Sequence, residues 1–336
     1  MELEHSERHT IRFIIGFEIK KDIYPHERIE YIMKNETVLD LYCGPGGLGT
    51  GFSPYFQVLD AVDLNLDACN TYHLNHPETL IHNKPVIDFI SSTIRKDFDG
   101  LIYSGVVGGP PCQEFSPLNQ QKNYLSTRAQ QLDVMIQSII ELQPNFALIE
   151  NVATMPRKFK DMAVKTLMNA GYKVMAKIVN ASFYHSVQAR HRWILTCAKK
   201  KHVFPQPDKS NIKIAKSILT DEVSEMTMAD SVRKGIKGLP IGKWVALPGQ
   251  VWSGYYIVDP FKPLPVIINV MKNRLIKPDR SGYLSFNECK MAQGFPSDYQ
   301  FFGGITSRTQ QLANAVPVEL AESFASAFYQ SLFATS

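Results

Sequence analysis

The 336-residue sequence predicts a doubly wound, Rossmann-like α/β fold with a smaller second domain. Two observations carry this prediction. Short apolar runs with the character of buried strands each end in a glycine-rich or polar segment, and the regular patterning stops at about Lys199, where Pro, Gly and Lys become frequent. Because open α/β sheets hold ligands at the carboxyl ends of their strands, the polar segments that follow the strands are the first place to look for a site.

The first elements form a strand, a turn and a second strand. Val38–Leu41 is the first predicted strand, and the glycine-rich segment Cys43–Gly51 is the turn after it. Val58–Val62 is the second strand, ending at Asp63. This order is typical of the start of a doubly wound sheet.

Later apolar runs continue the pattern. The predicted strands are Leu101–Val107, which stops at Gly108-Gly109-Pro110-Pro111, Phe146–Ile149, which ends in Glu150-Asn151, and Trp193–Cys197. Helical periodicity covers Leu132–Leu142, Phe286–Ala292 and Val318–Phe333. We therefore divide the chain into a first domain over 1–198, a smaller domain over 199–283, and a segment over 284–336 that returns to the first domain.

Composition excludes several classes of protein. The five cysteines are scattered singly without zinc-ligand spacing, so neither a disulfide framework nor a structural metal is expected. No apolar run approaches the roughly 20 residues that span a bilayer, and the charged N-terminus does not resemble a signal peptide. The sequence predicts a soluble, cytoplasmic protein, and its net charge of +4 is compatible with nucleic-acid binding.

The glycine turn predicts a cofactor that contains adenosine. The segment Asp40–Gly47 lacks both the GxGxxG spacing of a dinucleotide site and the Lys of a phosphate-binding loop. Glycines at a strand-to-helix turn still allow a ligand to approach the backbone closely. Asp63, at the end of the second strand, is placed to accept hydrogen bonds from ribose hydroxyls, although a purely structural turn and helix cap would give the same pattern.

Cys112 is a candidate nucleophile because prolines stiffen its loop. It lies in Gly109-Pro110-Pro111-Cys112-Gln113, directly after a predicted buried strand. A single cysteine is more often an inert small apolar residue. Presented here, however, a thiolate could add to C6 of cytosine and make C5 nucleophilic.

Charged partners for this chemistry follow two later elements. Hydrogen bonding at N3 of the ring lowers the barrier to thiolate addition, and Glu150 is the candidate for that contact. In Gln188-Ala189-Arg190-His191-Arg192, alternation along an extended chain places both arginines on one face. There they could hold the cytosine O2, a phosphate or the Cys112 thiolate. The alternatives are an acidic residue at a helix N-terminus and a solvated basic edge strand.

The ordered motifs resemble those of the cytosine-C5 DNA methyltransferase family, in its bacterial restriction-modification branch. The motifs in question are Asp40–Gly47, Gly109–Ser116, Glu150-Asn151-Val152, Gln188–Arg192, Gln293-Gly294-Phe295-Pro296 and Asn314-Ala315-Val316-Pro317. The resemblance implies a Rossmann-like S-adenosylmethionine-dependent methyltransferase domain with a smaller target-recognition domain. It also implies transfer of a methyl group to C5 of a cytosine rotated out of double-stranded DNA.

The resemblance assigns roles residue by residue. Cys112 would be the nucleophile, Glu150 the partner of N3, and Arg190 and Arg192 active-site cations. The cofactor, S-adenosylmethionine without a metal, would lie against Tyr42, Cys43, Gly44, Gly46, Gly47, Leu48, Asp63, Leu64, Pro111, Asn314 and Val316. The family's acidic contact to adenine is replaced by Lys84-Pro85-Val86, so Asp88 is expected to substitute for it. Gln113, Ser116, Asn151 and Gln188 are expected to contact the substrate.

Two alternatives to a DNA methyltransferase remain open. One is an RNA cytosine-C5 methyltransferase of the same fold, disfavoured because the chain lacks the Cys-Phe-Thr signature of the family's transfer-RNA branch. The other is a catalytically silent DNA-binding homologue, disfavoured because all four catalytic candidates are present. We expect a monomer that works beside a cognate restriction endonuclease without forming a stable complex with it.

Overall fold

The computed structural model describes residues 36–94, 103–111, 130–246, 254–268 and 273–334. Its centre is a seven-stranded sheet in the order β3-β2-β1-β4-β5-β8-β6. The strands are β1 (Thr37–Leu41), β2 (Gln57–Asp63), β3 (Leu80–Asn83), β4 (Gly105–Gly108), β5 (Phe146–Val152), β6 (Lys173–Asn180) and β8 (His191–Ala198). The first five strands in chain order pair in parallel, and β8 runs antiparallel to both β5 and β6.

Helices cover both faces of this sheet. They are α1 (Gly47–Phe52), α2 (Leu66–Asn75), α3 (Val86–Ile94), α4 (Gln131–Leu142), α5 (Arg157–Asn169) and, late in the chain, α9 (Val318–Leu332). One core lies between the sheet and α1, α2 and α9, and a second core lies between the sheet and α3, α4 and α5. Successive side chains of β1 point to opposite faces of the sheet, so Val38 belongs to the first core and Leu39 to the second. The predicted doubly wound class is confirmed.

The middle of the chain forms a separate small sheet. Its strands are β9 (Trp244–Ala246), β10 (Gly254–Ile257) and β12 (Asn273–Ile276), in the order β12-β10-β9. Tyr255 and Ile257 pack against α6 (Asp230–Gly235) in a core of their own. A two-residue strand, β11 (Leu264–Pro265), pairs with β7 (Gln188–Ala189) of the first domain.

The segment after residue 284 divides its packing between the two parts. Helices α7 (Phe286–Ala292) and α8 (Ile305–Asn314) share a core with the opposite face of β10. Helix α9 instead packs on the large sheet, where the ring centroids of Phe328 and Phe146 lie 4.4 Å apart. Residues 202–204, predicted to open the small domain, lie against α9 as well, through His202 and Phe204.

Most element boundaries agree with the prediction to within a few residues, and two differences matter for the site. The predicted turn Cys43–Gly51 is a turn only as far as Gly46, after which its glycines form the short helix α1. Strand β5 continues to Val152, so Glu150 and Asn151 lie inside the strand rather than after it.

Candidate active site

The glycine turn lies where the sheet changes its winding direction. β1 and β4 are neighbours, and the segments that leave them, Tyr42–Gly46 and Gly109–Pro111, flank the same crevice at the carboxyl edge. Tyr42 adopts a left-handed backbone conformation (φ 57°), and so do Gly44 and Gly46 (φ 53° and 99°). This is the topological switch point at which open α/β sheets bind ligands.

Asp63 shapes the turn with its carboxylate. Its Oδ2 accepts a hydrogen bond from the Gly44 amide at 2.9 Å, and its Oδ1 accepts one from the Asn65 amide at 2.8 Å. Burial raises the pKa of Asp63, and the backbone amides partly offset this effect. Since a carboxylate has about four acceptor positions, these two bonds leave capacity for a ligand hydroxyl.

Late segments of the chain close the other side of the turn. A Cβ added to Gly47 would lie 2.3 Å from the Val316 carbonyl oxygen, so the two backbones touch only because residue 47 has no side chain. The Tyr299 hydroxyl donates a hydrogen bond to the Pro45 carbonyl at 2.6 Å. The segment around Asn314–Val316 is therefore fixed against the turn from the opposite side.

Together these segments enclose a cavity of about 900 Å³. Among the predicted site residues, its lining contains Tyr42, Cys43, Gly44, Gly47, Leu48, Asp63, Leu64, Pro111, Glu150, Arg190, Arg192, Asn314 and Val316. Residues separated by more than 250 positions in sequence thus meet around one space.

Glu150 and Arg192 form an ion pair in the wall of this cavity. The Arg192 Nε lies 2.6 Å from Glu150 Oε1, and the two side chains are 12% and 11% exposed. They extend from the neighbouring antiparallel strands β5 and β8. A Cβ on Gly109 would lie 3.2 Å from Glu150 Oε2, so the glycine lets the loop after β4 pass close to the carboxylate.

Asn151 holds the same loop from beneath. Its side chain is buried, and its Nδ2 donates a hydrogen bond to the Pro110 carbonyl at 3.2 Å. The preceding strand and this bond fix the backbone that leads to Pro111, the last described residue before Cys112. Asn151, which we expected to contact the substrate, does not line the cavity.

Gln188 and Arg190 are buried and bind backbone groups. Gln188 Nε2 donates to the Ala292 carbonyl at 3.1 Å. Arg190 donates to two carbonyls, that of Ile267 at 3.1 Å and that of Ala313 at 2.9 Å. Although both arginines line the cavity as expected, only Arg192 pairs with Glu150 among the described contacts.

Two predicted cofactor residues lie outside the lining, and three site residues lie outside the described part of the chain. Gly46 supports the turn from behind, where a Cβ would meet the Tyr299 hydroxyl at 2.5 Å. Asp88 is exposed in the first turn of α3, whereas Lys84, Pro85 and Val86 line the cavity. Cys112, Gln113 and Ser116 fall within the undescribed residues 112–129.

Sequence reasoning missed one wall of the cavity. Gln131 at the start of α4 accepts a hydrogen bond from the Tyr42 hydroxyl through its side chain at 3.1 Å. From α8, the side of the cavity is formed by Thr306, Ser307, Gln310 and Gln311. The helix that precedes Asn314-Ala315-Val316-Pro317 has polar residues on its cavity face, and that pattern could have identified it.

Two buried titratable groups, the Asp40 carboxyl and the Cys43 thiol, lie at the turn. Asp40 has no exposed surface, and its Oδ2 accepts a hydrogen bond from the Gly49 amide at 3.1 Å. Burial raises the pKa of Asp40 well above its usual value, with a further rise from the charge of Asp63. Burial, followed by the same charge, also raises the pKa of the Cys43 thiol. Cys43 is therefore a protonated lining residue rather than a nucleophile.

Within the described ranges, no group of three or more His, Cys, Asp or Glu side chains could hold a metal ion. No helix in the part of the chain that the structure covers is long and apolar enough to cross a membrane.

The fold and the cavity define an α/β protein of the doubly wound class with a buried carboxylate–arginine pair at its ligand-binding edge. Comparison with known proteins narrows this class. The sequence model of the C-5 cytosine-specific DNA methylases matches residues 36–235 and 227–330. The chain therefore belongs to this family and is a DNA (cytosine-5)-methyltransferase.

Named relatives fall in the same group. The Type II methyltransferase M.Sau96I from Staphylococcus aureus is 26% identical over 86% of this chain and 74% of its own length. M.FnuDI from Fusobacterium nucleatum is 26% identical over 84% of this chain and 91% of its own length.

Solved structures share the fold. An E. coli protein described as a DNA modification methyltransferase encoded within a prophage superposes with a TM-score of 0.73 at 22% identity, over 88% of this chain and 99% of its own. A mutant of Spodoptera frugiperda DNMT2 gives a TM-score of 0.68 at 16% identity, over 88% and 99%.

Proposed function

We propose that this enzyme transfers a methyl group from S-adenosylmethionine to C5 of a cytosine rotated out of double-stranded DNA, through a covalent bond between Cys112 and C6 of the ring. The observation that carries the proposal is the Glu150–Arg192 pair, which lies in the wall of the cavity formed by the glycine turn and Gly109–Pro111. Glu150 lies next to the loop that leads to Cys112. A carboxylate in this place suits the addition of a thiolate to an electron-poor ring.

The size of the cavity and the residues that line it are compatible with S-adenosylmethionine. Gly44 has open space where a Cβ would stand, so a ligand can approach the backbone there, and the close contact of Gly47 with Val316 holds the opposite wall against the turn. Asp63 would accept from the ribose hydroxyls, and Leu64 would cover one face of the adenine. Asn314 and Val316 would hold the amino-acid end. S-adenosylmethionine, when bound, supplies an electrophilic methyl group.

The chain's own residues prepare the cytosine. The Cys112 thiolate adds to C6 and forms a carbon–sulfur bond, while the electrons of the C5–C6 double bond become available at C5. Glu150 would share a proton with N3 and so stabilise the charge that develops on the ring. Arg192 holds the Glu150 side chain in one orientation through the bond at 2.6 Å. After C5 has gained its methyl group, water removes the C5 proton, and the electrons expel Cys112 and restore the double bond.

The proposed chemistry requires the cytosine to rotate out of the helix. A stacked cytosine cannot present C6 to a thiolate and C5 to the cofactor together, so it must leave the helix at a cost of a few kcal/mol. Lys199–Lys201, Lys234, Lys237 and Lys243 are exposed and suited to phosphate contacts. Three other basic residues of the middle region have internal partners, because Lys277 pairs with Glu288, Arg274 with Tyr283 and Arg280 with the Leu239 carbonyl.

Transfer of labelled methyl from S-adenosylmethionine tests the proposal. Wild type, Cys112→Ala and the matched variant Cys289→Ala, which removes a buried thiol from another core, are assayed on duplex DNA and on transfer RNA. We expect label in 5-methyldeoxycytidine for wild type and Cys289→Ala alone. Duplexes that contain 5-fluorocytosine should trap the protein covalently through Cys112, since fluorine cannot leave as a proton.

Other outcomes separate the alternatives. Label only in RNA would support the same chemistry but would show that RNA, not DNA, is the substrate. Binding of DNA without transfer would identify a silent homologue, and undiminished transfer by Cys112→Ala would remove the covalent mechanism. A cognate endonuclease and a monomeric state remain predictions, which gel filtration and a search of neighbouring genes can address.

A further inference from the structure

Arg190 is one of the largest fully buried side chains in the described part of the protein. Its Nη1 donates a hydrogen bond to the Ile267 carbonyl at 3.1 Å, and its Nη2 donates one to the Ala313 carbonyl at 2.9 Å. A buried cation is costly unless it is paired and hydrogen-bonded. The planar guanidinium offsets part of this cost by binding two carbonyls from distant parts of the chain in one fixed geometry.

Gln188 also binds Ile267, through the backbone amide of that residue. Its Oε1 accepts a hydrogen bond from the Ile267 amide at 3.0 Å, and its Nε2 donates to the Ala292 carbonyl at 3.1 Å. The short ladder between β7 and β11 brings the two segments together. Both backbone groups of Ile267 are thus held by side chains two positions apart in one motif, so this point of the middle region is attached to the first domain.

The Ala313 carbonyl lies at the end of α8. The last carbonyls of a helix have no intrahelical partner, and a cation there also interacts favourably with the helix dipole. Gln293 binds the preceding carbonyl, that of Leu312, through its side-chain amide. The residues that continue from this end, Asn314 to Val316, form a wall of the cavity.

We propose that Arg190 is a positioning residue that sets the Asn314–Val316 wall of the cofactor cavity relative to the middle region. The two arginines of the motif then have different tasks, because Arg192 orients Glu150 for chemistry on the base while Arg190 shapes the space for the cofactor. This inference rests on the proposed function, since it takes the cavity as the site of S-adenosylmethionine.

Arg190→Lys tests the proposal with a conservative change, and Arg192→Lys is its matched control. A lysine cannot donate in two fixed directions at once. The bonds to Ile267 and Ala313 hold the Asn314–Val316 wall in place, so loss of one of them should displace the wall and lower cofactor affinity by about tenfold. We expect Arg190→Lys to raise the Kd of S-adenosylhomocysteine, measured without DNA, and the KM of S-adenosylmethionine by about this factor. At saturating cofactor its kcat should fall less than that of Arg192→Lys, because a change in the shape of the cavity is separable from the chemical step.

Arg192→Lys should show the opposite split, with an unchanged cofactor Kd and a decreased kcat. The proposal is overturned if Arg190→Lys binds cofactor as wild type does while its kcat falls, or if the two variants lose cofactor affinity equally. If Arg190→Lys does not fold, the decision passes to Gln188→Met, which frees the Ile267 amide and should weaken cofactor binding several-fold. Unchanged affinity in that variant would also overturn it. Failure of wild type to bind S-adenosylhomocysteine would instead count against the proposed function.

Discussion

Arg192 Nε and Glu150 Oε1 lie 2.6 Å apart on neighbouring strands, and about nine-tenths of each side chain is buried. Removing one partner of a buried pair leaves an uncompensated charge at a cost of about 3 kcal/mol. We therefore predict that Glu150→Gln and Arg192→Met each lower the free energy of unfolding by roughly this amount. Urea denaturation measures the change.

The double variant separates stability from catalysis. Glu150→Gln/Arg192→Met carries no unpaired charge, so its stability should exceed that of Arg192→Met. Its kcat should nevertheless remain at least about 100-fold below wild type, the usual contribution of a general acid or base. Substantial activity in the double variant would show that the carboxylate has no part in the reaction.

Gly47→Ala is predicted to weaken cofactor binding. The new methyl group would lie 2.3 Å from the Val316 carbonyl oxygen, and the wall of the cavity must move to accept it. We expect the Kd of S-adenosylhomocysteine to rise at least about tenfold, the equivalent of 1.4 kcal/mol, measured by titration calorimetry. Gly282→Ala is the control, since a Cβ there meets no atom within 4 Å. Equal effects in the two variants would contradict this account.

Asp40→Asn is predicted to change how stability depends on pH. Burial is the main reason that the pKa of Asp40 is raised from its ordinary value of 3.8. The native protein therefore keeps a proton that the unfolded chain releases. This contribution to stability is fully present below pH 3.8 and is lost as the pH rises through the folded-state pKa.

Asp40→Asn has no titratable group at this position, so its stability does not decrease in this way as the pH rises. From pH 4.5 upward, its stability relative to wild type should increase by up to about 1.4 kcal/mol per pH unit, the value for one proton. The increase should level off once Asp40 has ionised in the native wild type. Unfolding curves at several pH values provide the measurement, and parallel pH profiles for the two proteins would rule out a raised pKa at this position.

Phe328→Ala should destabilise the large domain. Its ring contacts Phe146 at 4.4 Å and His202 at 5.5 Å between centroids, and it is almost fully buried. Truncation of a buried Phe costs about 3–5 kcal/mol, which thermal unfolding would report. Phe261, of similar volume but 71% exposed, supplies the comparison, and Phe261→Ala should change the free energy of unfolding by less than about 0.5 kcal/mol. If Phe328→Ala lowers the free energy of unfolding no more than Phe261→Ala does, the contact of α9 with the sheet does not contribute to stability.

Much of the fold could be predicted because its signals are local. The apolar run around Val38 and Leu39 and the periodicity of Leu132–Leu142 identify their elements without reference to distant residues. The edge that carries the cavity was predictable for a related reason, since parallel strands bring their carboxyl ends to one side of a sheet. Glycine at position 47 belongs to the motif itself, although its contact with Val316 cannot be inferred from spacing.

The tasks of the two arginines could not be separated in the same way. Alternation predicts that Arg190 and Arg192 share a face, and both do line the cavity. It does not show that Arg190 meets the carbonyls of Ile267 and Ala313, because those contacts depend on how three remote segments pack. Pro85 in place of the family's acid likewise indicated a departure at the adenine contact, while the exposure of Asp88 depends on the orientation of α3.

The hydrogen bond from Tyr299 to Pro45 joins residues 254 positions apart, and the Gly47–Val316 contact spans a still longer stretch of chain. During synthesis, the strands and the glycine turn emerge from the ribosome long before the segments that complete the cavity. A nascent chain that already has most of the large sheet therefore still lacks one wall of the cavity. Methylation competence arrives late in translation and nearly all at once, so polypeptides that stall before residue 316 would contribute no background modification.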